Sequence, residues 1–229
     1  MKTLGLIGGM SAESTVVYYQ LLNRLVRERL GGLHSASLVM ASLDFAPIAR
    51  MQADGAWDEA GALLAGSART LEAAGAEAVL ICANTMHLVA DQVQAAISVP
   101  LIHIADATAE ALIAAGVRRP LLLATRFTME KAFYRDRLAA HGVAACVPEA
   151  SERERLHAII YDELCVGVIS ATSKAVVLEM IAAARAQGAD SVVFGCTEIG
   201  LLLTQADLKL PAFDTAEVHA RAAVDFSLG

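Results

Sequence analysis

The residue in this chain best suited to chemistry is Cys196, which follows Ser191-Val192-Val193-Phe194-Gly195 and precedes Thr197-Glu198-Ile199. A thiol can serve as acid, base or nucleophile. The apolar run before it has the length and composition of a buried parallel strand. Open α/β sheets carry their ligands beyond the carboxyl ends of such strands. A helix amino terminus close by would favour the thiolate, which makes Cys196 a candidate base or nucleophile. The competing reading is a buried cysteine that only packs. The polar neighbours Thr197 and Glu198, placed directly after an apolar strand, argue for a site.

This stretch has an internal counterpart. Gly75-Ala76-Glu77 leads into Ala78–Ile81 and then Cys82-Ala83-Asn84-Thr85, as Gly188-Ala189-Asp190 leads into Ser191–Phe194. At equal offset, Cys196 matches Ala83, Thr197 matches Asn84 and Glu198 matches Thr85. Upstream, Thr3–Gly9 followed by Met10-Ser11 answers Pro120–Ala124 followed by Thr125-Arg126-Phe127-Thr128. A repeat of this length signals two similar lobes rather than a solenoid.

The elements that must position these groups alternate between strands and helices, which points to an α/β fold with parallel central sheets. Strands are expected at Thr3–Ile7, Ser37–Ser42, Ala78–Ile81 and Pro100–His103, and in the second half at 120–124, 143–147, 191–194 and 210–213. Helices are expected at 13–30, 57–74, from 86 to about 97, and from Asp106, as a cap, to 115. In the second half they fall at 129–141, 152–166, 172–187, 199–204 and 215–226. Leu43–Pro47 reads as a turn-rich connection, with Arg50 and Gln52 soon after it. Residues 1–116 form the expected first lobe and 117–208 the second. Residues 209–229 are expected to return to the first, because Leu210–Asp214 resembles Val99–His103.

Composition narrows the function. The chain has 229 residues, 56% of them hydrophobic and 19% charged, enough to build real cores. The net charge of −7 argues against nucleic acid as a partner, although an anionic small molecule stays compatible. The amino terminus shows no signal-peptide pattern, and no apolar run approaches the roughly 20 residues of a membrane helix. The four cysteines have no C-x-x-C spacing and no His, Cys and Asp cluster suggests a metal, so free thiols in a reducing cytoplasm are expected. The Gly8-Gly9-Met10-Ser11 loop can offer N–H groups to an anion but lacks the G-x-G-x-x-G dinucleotide spacing.

Four motifs together resemble the aspartate/glutamate racemase superfamily, the pyridoxal-phosphate-independent amino-acid racemases. They are Gly8-Gly9-Met10-Ser11, Asn84-Thr85-Met86-His87, Thr125-Arg126-Phe127-Thr128 and Gly195-Cys196-Thr197-Glu198-Ile199. The resemblance implies two Rossmann-like lobes related by a pseudo-twofold axis, with a small amino acid in the cleft between them. It also implies no cofactor, a homodimer, and a two-base mechanism with one proton carrier per lobe. The second carrier is Cys196. The first position is Ala83, which has no proton to give or take, so weak or one-sided activity is expected. Cys82 alternates to the opposite side of its strand and is expected to face the core. Cys165 stands where many relatives have lysine; packing on a helix explains it.

In this scheme Asn84, Thr85 and Thr197, with the N–H groups of Met10 and Ser11, stabilise the carbanion-like state through the α-carboxylate. Thr125 and Thr128 line the pseudo-symmetric loop. Gln52 contacts the side-chain carboxylate, with Arg50 or Arg126 as cationic candidates. Glu198 orients a donor or meets the substrate ammonium, its plainer role being a helix-start carboxylate. His87 is either a general base or a histidine satisfied by backbone. The leading expectation is racemisation of aspartate or glutamate. The alternatives are a single-cysteine decarboxylase or isomerase of the same superfamily and a non-catalytic two-lobed amino-acid binder.

Overall fold

Short apolar runs become parallel strands here because helices cover them, leaving most strand residues buried on both faces while one edge strand of each sheet stays partly exposed. The computed structural model describes every residue from Met1 to Gly229. In chain order the first half holds β1 (Leu4–Gly8), α1 (Ala12–Leu30), β2 (Leu38–Ser42), α2 (Phe45–Asp54), α3 (Trp57–Ala73) and β3 (Ala78–Ile81). A 3₁₀ turn at Thr85–Val89 leads to α4 (Ala90–Gln94) and α5 (Ile104–Ala114). The sheet runs β2-β1-β3, all parallel, with Leu4 opposite both Leu38 and Ala78. Ile7, Val79 and Ile81 on its strands pack against Ile48 of α2 and Leu64 and Leu71 of α3. Leu101 adds a single parallel bridge to Val79.

The second half repeats the plan: β4 (Pro120–Leu123), α6 (Arg126–Glu130), α7 (Ala132–Ala140), α8 (Ala150–Ala158), α9 (Ala171–Ala186), β5 (Ser191–Phe194), α10 (Ile199–Leu202), β6 (Ala212–Asp214) and α11 (Thr215–Leu228). Its sheet runs β4-β5-β6, again parallel, and Cys146 bridges Leu121. The pairing partners of the repeat therefore correspond: β1 to β4, β3 to β5, and the bridge at Leu101 to β6. No helix is long and apolar enough to cross a membrane.

Several expected boundaries move, each for a local reason. The segment after Leu43 is not a plain connection. Asp44 caps α2 by accepting from the Ala46 N–H, and Pro47 is tolerated because it falls in the first turn. Asp106 is not a cap but lies within the first turn of α5, where its two oxygens take the Arg137 guanidinium at 2.6 and 2.8 Å. The helix expected at 129–141 breaks at Lys131, whose backbone is extended. The helix expected at 152–166 passes through a π turn at Ile159–Glu163 and a 3₁₀ turn at Leu164–Val166. The strands expected at 100–103 and 143–147 shrink to the two single bridges.

The chain divides into two compact units, Met1–Ile104 with His219–Gly229, and Ala105–Val218. The expected lobe limits are thus corrected. Almost all of α5 belongs to the second unit. Of the tail, β6 stays in the second sheet because its backbone pairs with β5, and only α11 from His219 onward joins the first unit.

Candidate active site

In the first unit the chemistry-bearing loops leave the carboxyl ends of β1 and β3. Gly9 has φ +85°, and a Cβ there would run into the Leu43 carbonyl, so only glycine lets the loop pass. Ser11 caps α1 by accepting from the Ser14 N–H, and Thr15 Oγ1 accepts from the Gly9 N–H while donating to the Ser11 carbonyl. Ser14 Oγ donates to the Cys82 carbonyl at 3.0 Å, tying this loop to the end of β3. Met10, Met86 and Ala83 share the core of the unit. Gln52 is buried on α2, and its amide donates to Met86 Sδ at 3.0 Å. Asn84 and Thr85 are buried at the start of the 3₁₀ turn, beside Ala83. This brings Met10, Gln52, Ala83, Asn84 and Thr85 to one end of one sheet.

His87 serves the backbone. His87 Nδ1 donates to the Ala83 carbonyl at 2.9 Å, and Nε2 accepts from the Ile104 N–H at 3.2 Å. Both nitrogens are engaged and the ring is neutral, so the general-base role is not supported. His103 packs edge-on against His87 with ring centroids 4.6 Å apart. Cys82 is fully buried, and burial pushes its thiol far above the usual range.

In the second unit the loop after β5 carries the reactive group. Gly195 lies where a Cβ would approach Leu122 Cδ1 to 2.6 Å and Ala124 Cβ to 3.1 Å, so the loop leaves β5 tight against β4. Cys196 Sγ donates to Glu198 Oε2 at 2.9 Å, and Thr197 Oγ1 donates to the same oxygen at 2.7 Å. Glu198 is buried and is not a capping carboxylate; it turns back to serve its neighbours instead. Burial, then the Glu198 charge, then Cys165 push the Cys196 thiol well above its usual range. The expectation that a helix amino terminus would favour the thiolate is therefore reversed. The four-residue α10 cannot offset burial beside a carboxylate.

Thr125 caps α6 by accepting from the Thr128 N–H, and the two hydroxyls lie 3.3 Å apart. The Arg126 N–H donates to His157 Nδ1 at 3.4 Å, and His157 packs edge-on against Phe127 and at a tilt against Tyr161. Cys165, which the sequence assigned to packing, and Tyr161, which it did not single out, belong here. Cys165, half-buried, donates to Glu198 Oε1 at 3.7 Å, so packing alone does not explain it. Tyr161 is pushed up by burial and then by Cys165, Cys196 and Glu198. Their i, i+4 spacing was visible in the sequence and places both on one helical face; nothing in the sequence marked which face that was. No group of three or more His, Cys, Asp or Glu side chains is arranged to hold a metal ion.

A family model described as Asp/Glu/Hydantoin racemase matches residues 7–223. A broad-specificity amino-acid racemase of Bacillus subtilis (strain 168) is 22% identical over 161 residues, 67% of this chain and 66% of that protein's length. Among solved structures, a Yersinia pestis protein assigned to the Asp/Glu racemases is 49% identical with a TM-score of 0.92 over 100% of both chains. An aspartate racemase homologue of Pyrococcus horikoshii OT3 is 36% identical with a TM-score of 0.87, also over 100% of both.

Proposed function

Because the chain belongs to the Asp/Glu/hydantoin racemase family, we propose that it moves the α-proton of aspartate or glutamate without a cofactor, with Cys196 as the proton carrier on one face. The observation that carries this reading is the Cys196 thiol at the end of β5, 2.9 Å from a carboxylate able to take its proton. At rest the proton is on sulfur, so Cys196 stands ready as an acid. To act as a base it passes that proton to Glu198 Oε2. The thiolate then takes the α-proton, and the electron pair left on Cα spreads into the substrate α-carboxylate. Asn84, Thr85 and Thr197, with the N–H groups of Met10 and Ser11, stabilise that charge. Gln52 is the candidate for the side-chain carboxylate, and Thr125 and Thr128 are further candidate substrate contacts.

Ala83 occupies the place of the other proton carrier. A water held by Asn84 or Thr85 must then deliver protons to that face, which makes inversion slow. Losing a positioned acid or base costs about 10²–10⁴-fold. A second reading, a one-sided proton donor of the decarboxylase kind, is favoured by two observations together: Cys196 rests protonated, and Ala83 is inert. The deciding experiment is α-proton exchange in D2O with both enantiomers of aspartate and glutamate. Exchange faster than inversion is the expected result. Inversion at an equal rate would mean a second working base, and no exchange at all would mean a binder. The same reading makes the protein a cytoplasmic homodimer, with sedimentation expected at twice the 24.0 kDa of one chain.

A further inference from the structure

Glu198 is held from two directions. Cys196 and Thr197 reach Oε2 from its own loop, at 2.9 and 2.7 Å. Cys165 reaches Oε1 at 3.7 Å from the helical turn Leu164–Val166, a segment more than thirty residues away in sequence. We propose that Cys165 is a positioning residue for the Cys196–Glu198 couple, holding Oε1 so that Oε2 stays aimed at the Cys196 thiol.

Cys165 directly follows a π turn at Ile159–Glu163. Such a turn inserts into a helix and rotates whatever follows relative to what precedes it, and π turns recur at functional sites. Here Tyr161 lies within the turn and Cys165 just beyond it, both near the Cys196 loop. The groups that face Cys196 are then Glu198 from its own loop and Cys165 and Tyr161 from this helical segment. A neutral donor on Oε1 has an electrostatic effect as well as a steric one. By holding Oε1 it keeps Oε2 on the thiol proton, and with burial it helps keep Cys196 protonated. Without that donor Oε2 is free to leave the thiol, and the Cys196 proton is easier to remove. A residue whose only role was packing would not alter that proton's affinity.

This inference rests on the role proposed above for Cys196, but its test reads the thiol with no substrate and no turnover. A failed test therefore leaves the racemase reading standing, and a failed racemase assay leaves this test interpretable. The rate of Cys196 alkylation by iodoacetamide is measured against pH in the full chain, with the modified peptide followed by mass. Cys165→Ala is expected to lower the alkylation midpoint by about half a pH unit or more. Cys165→Ser, which keeps a donor, is expected to stay closer to the parent. In a Glu198→Gln background Cys165→Ala is expected to have no effect, because its route of action is gone. Cys165→Val, apolar and without a donor, gives the same comparison should the alanine variant misfold. A midpoint unchanged by both apolar variants, or a shift that survives Glu198→Gln, would overturn the proposal.

Discussion

His219 makes the stability of this protein depend on pH in a way that can be worked out in advance. It is fully buried in the first unit, where Nδ1 accepts from the Tyr18 hydroxyl at 2.8 Å and Nε2 donates to the Ile102 carbonyl at 2.7 Å. That pattern requires the neutral ring. Burial lowers its pKa from 6.5 to about 4, with the Ile102 carbonyl opposing the shift and His103 adding to it. The folded state therefore binds the proton less readily than the unfolded chain. The stabilisation is fully present above pH 6.5 and is lost as pH falls from 6.5 through about 4. One pKa unit corresponds to about 1.36 kcal/mol, so the lowering corresponds to about 3 kcal/mol in all. By pH 5.0 about 2 kcal/mol of that is already gone relative to pH 7.5. Urea unfolding at these two pH values measures the loss, and His219→Gln isolates it. Glutamine offers one donor and one acceptor but does not titrate, so its pH slope is expected to be shallower by about that amount. Equal slopes for the two proteins would refute the reasoning and show that His219 is not buried as a neutral ring.

Three further outcomes are expected. Ala83→Cys should raise interconversion of L- and D-aspartate by about 10²-fold or more, since it supplies the missing carrier; bidirectional turnover already fast in the parent and unchanged by the substitution would point to another base. Cys196 should react with a thiol reagent only at elevated pH, with an acidic amino acid protecting it, whereas Cys82 stays silent in the folded chain; peptide mapping distinguishes them. Gly9→Ala should lower stability by about 1–3 kcal/mol, because its positive φ and the Leu43 carbonyl leave no room for a methyl group, and a denaturant midpoint at or above the parent's would contradict this.

Much of this protein is local and was therefore legible in the sequence. Apolar runs of four or five residues mark β1, β3, β4 and β5, because a strand buried on both faces needs apolar side chains on both. The repeat matches Ala83 to Cys196 in the alignment of the two halves, and β3 and β5 end at the same offset. Other features depend on what folding brings together. The helix α2, which buries Gln52, was hidden behind a proline that is harmless only in a first turn. The return of α11 from His219 is fixed by hydrogen bonds to Tyr18 and Ile102, partners 201 and 117 residues away. Cys165 meets Glu198 across 33 residues of chain, and no residue pattern announces that contact. The protonation of Cys196 was read in the wrong direction for the same reason. A helix start is visible in a sequence, but burial beside a carboxylate is a property of the packed structure, and burial outweighs the short helix.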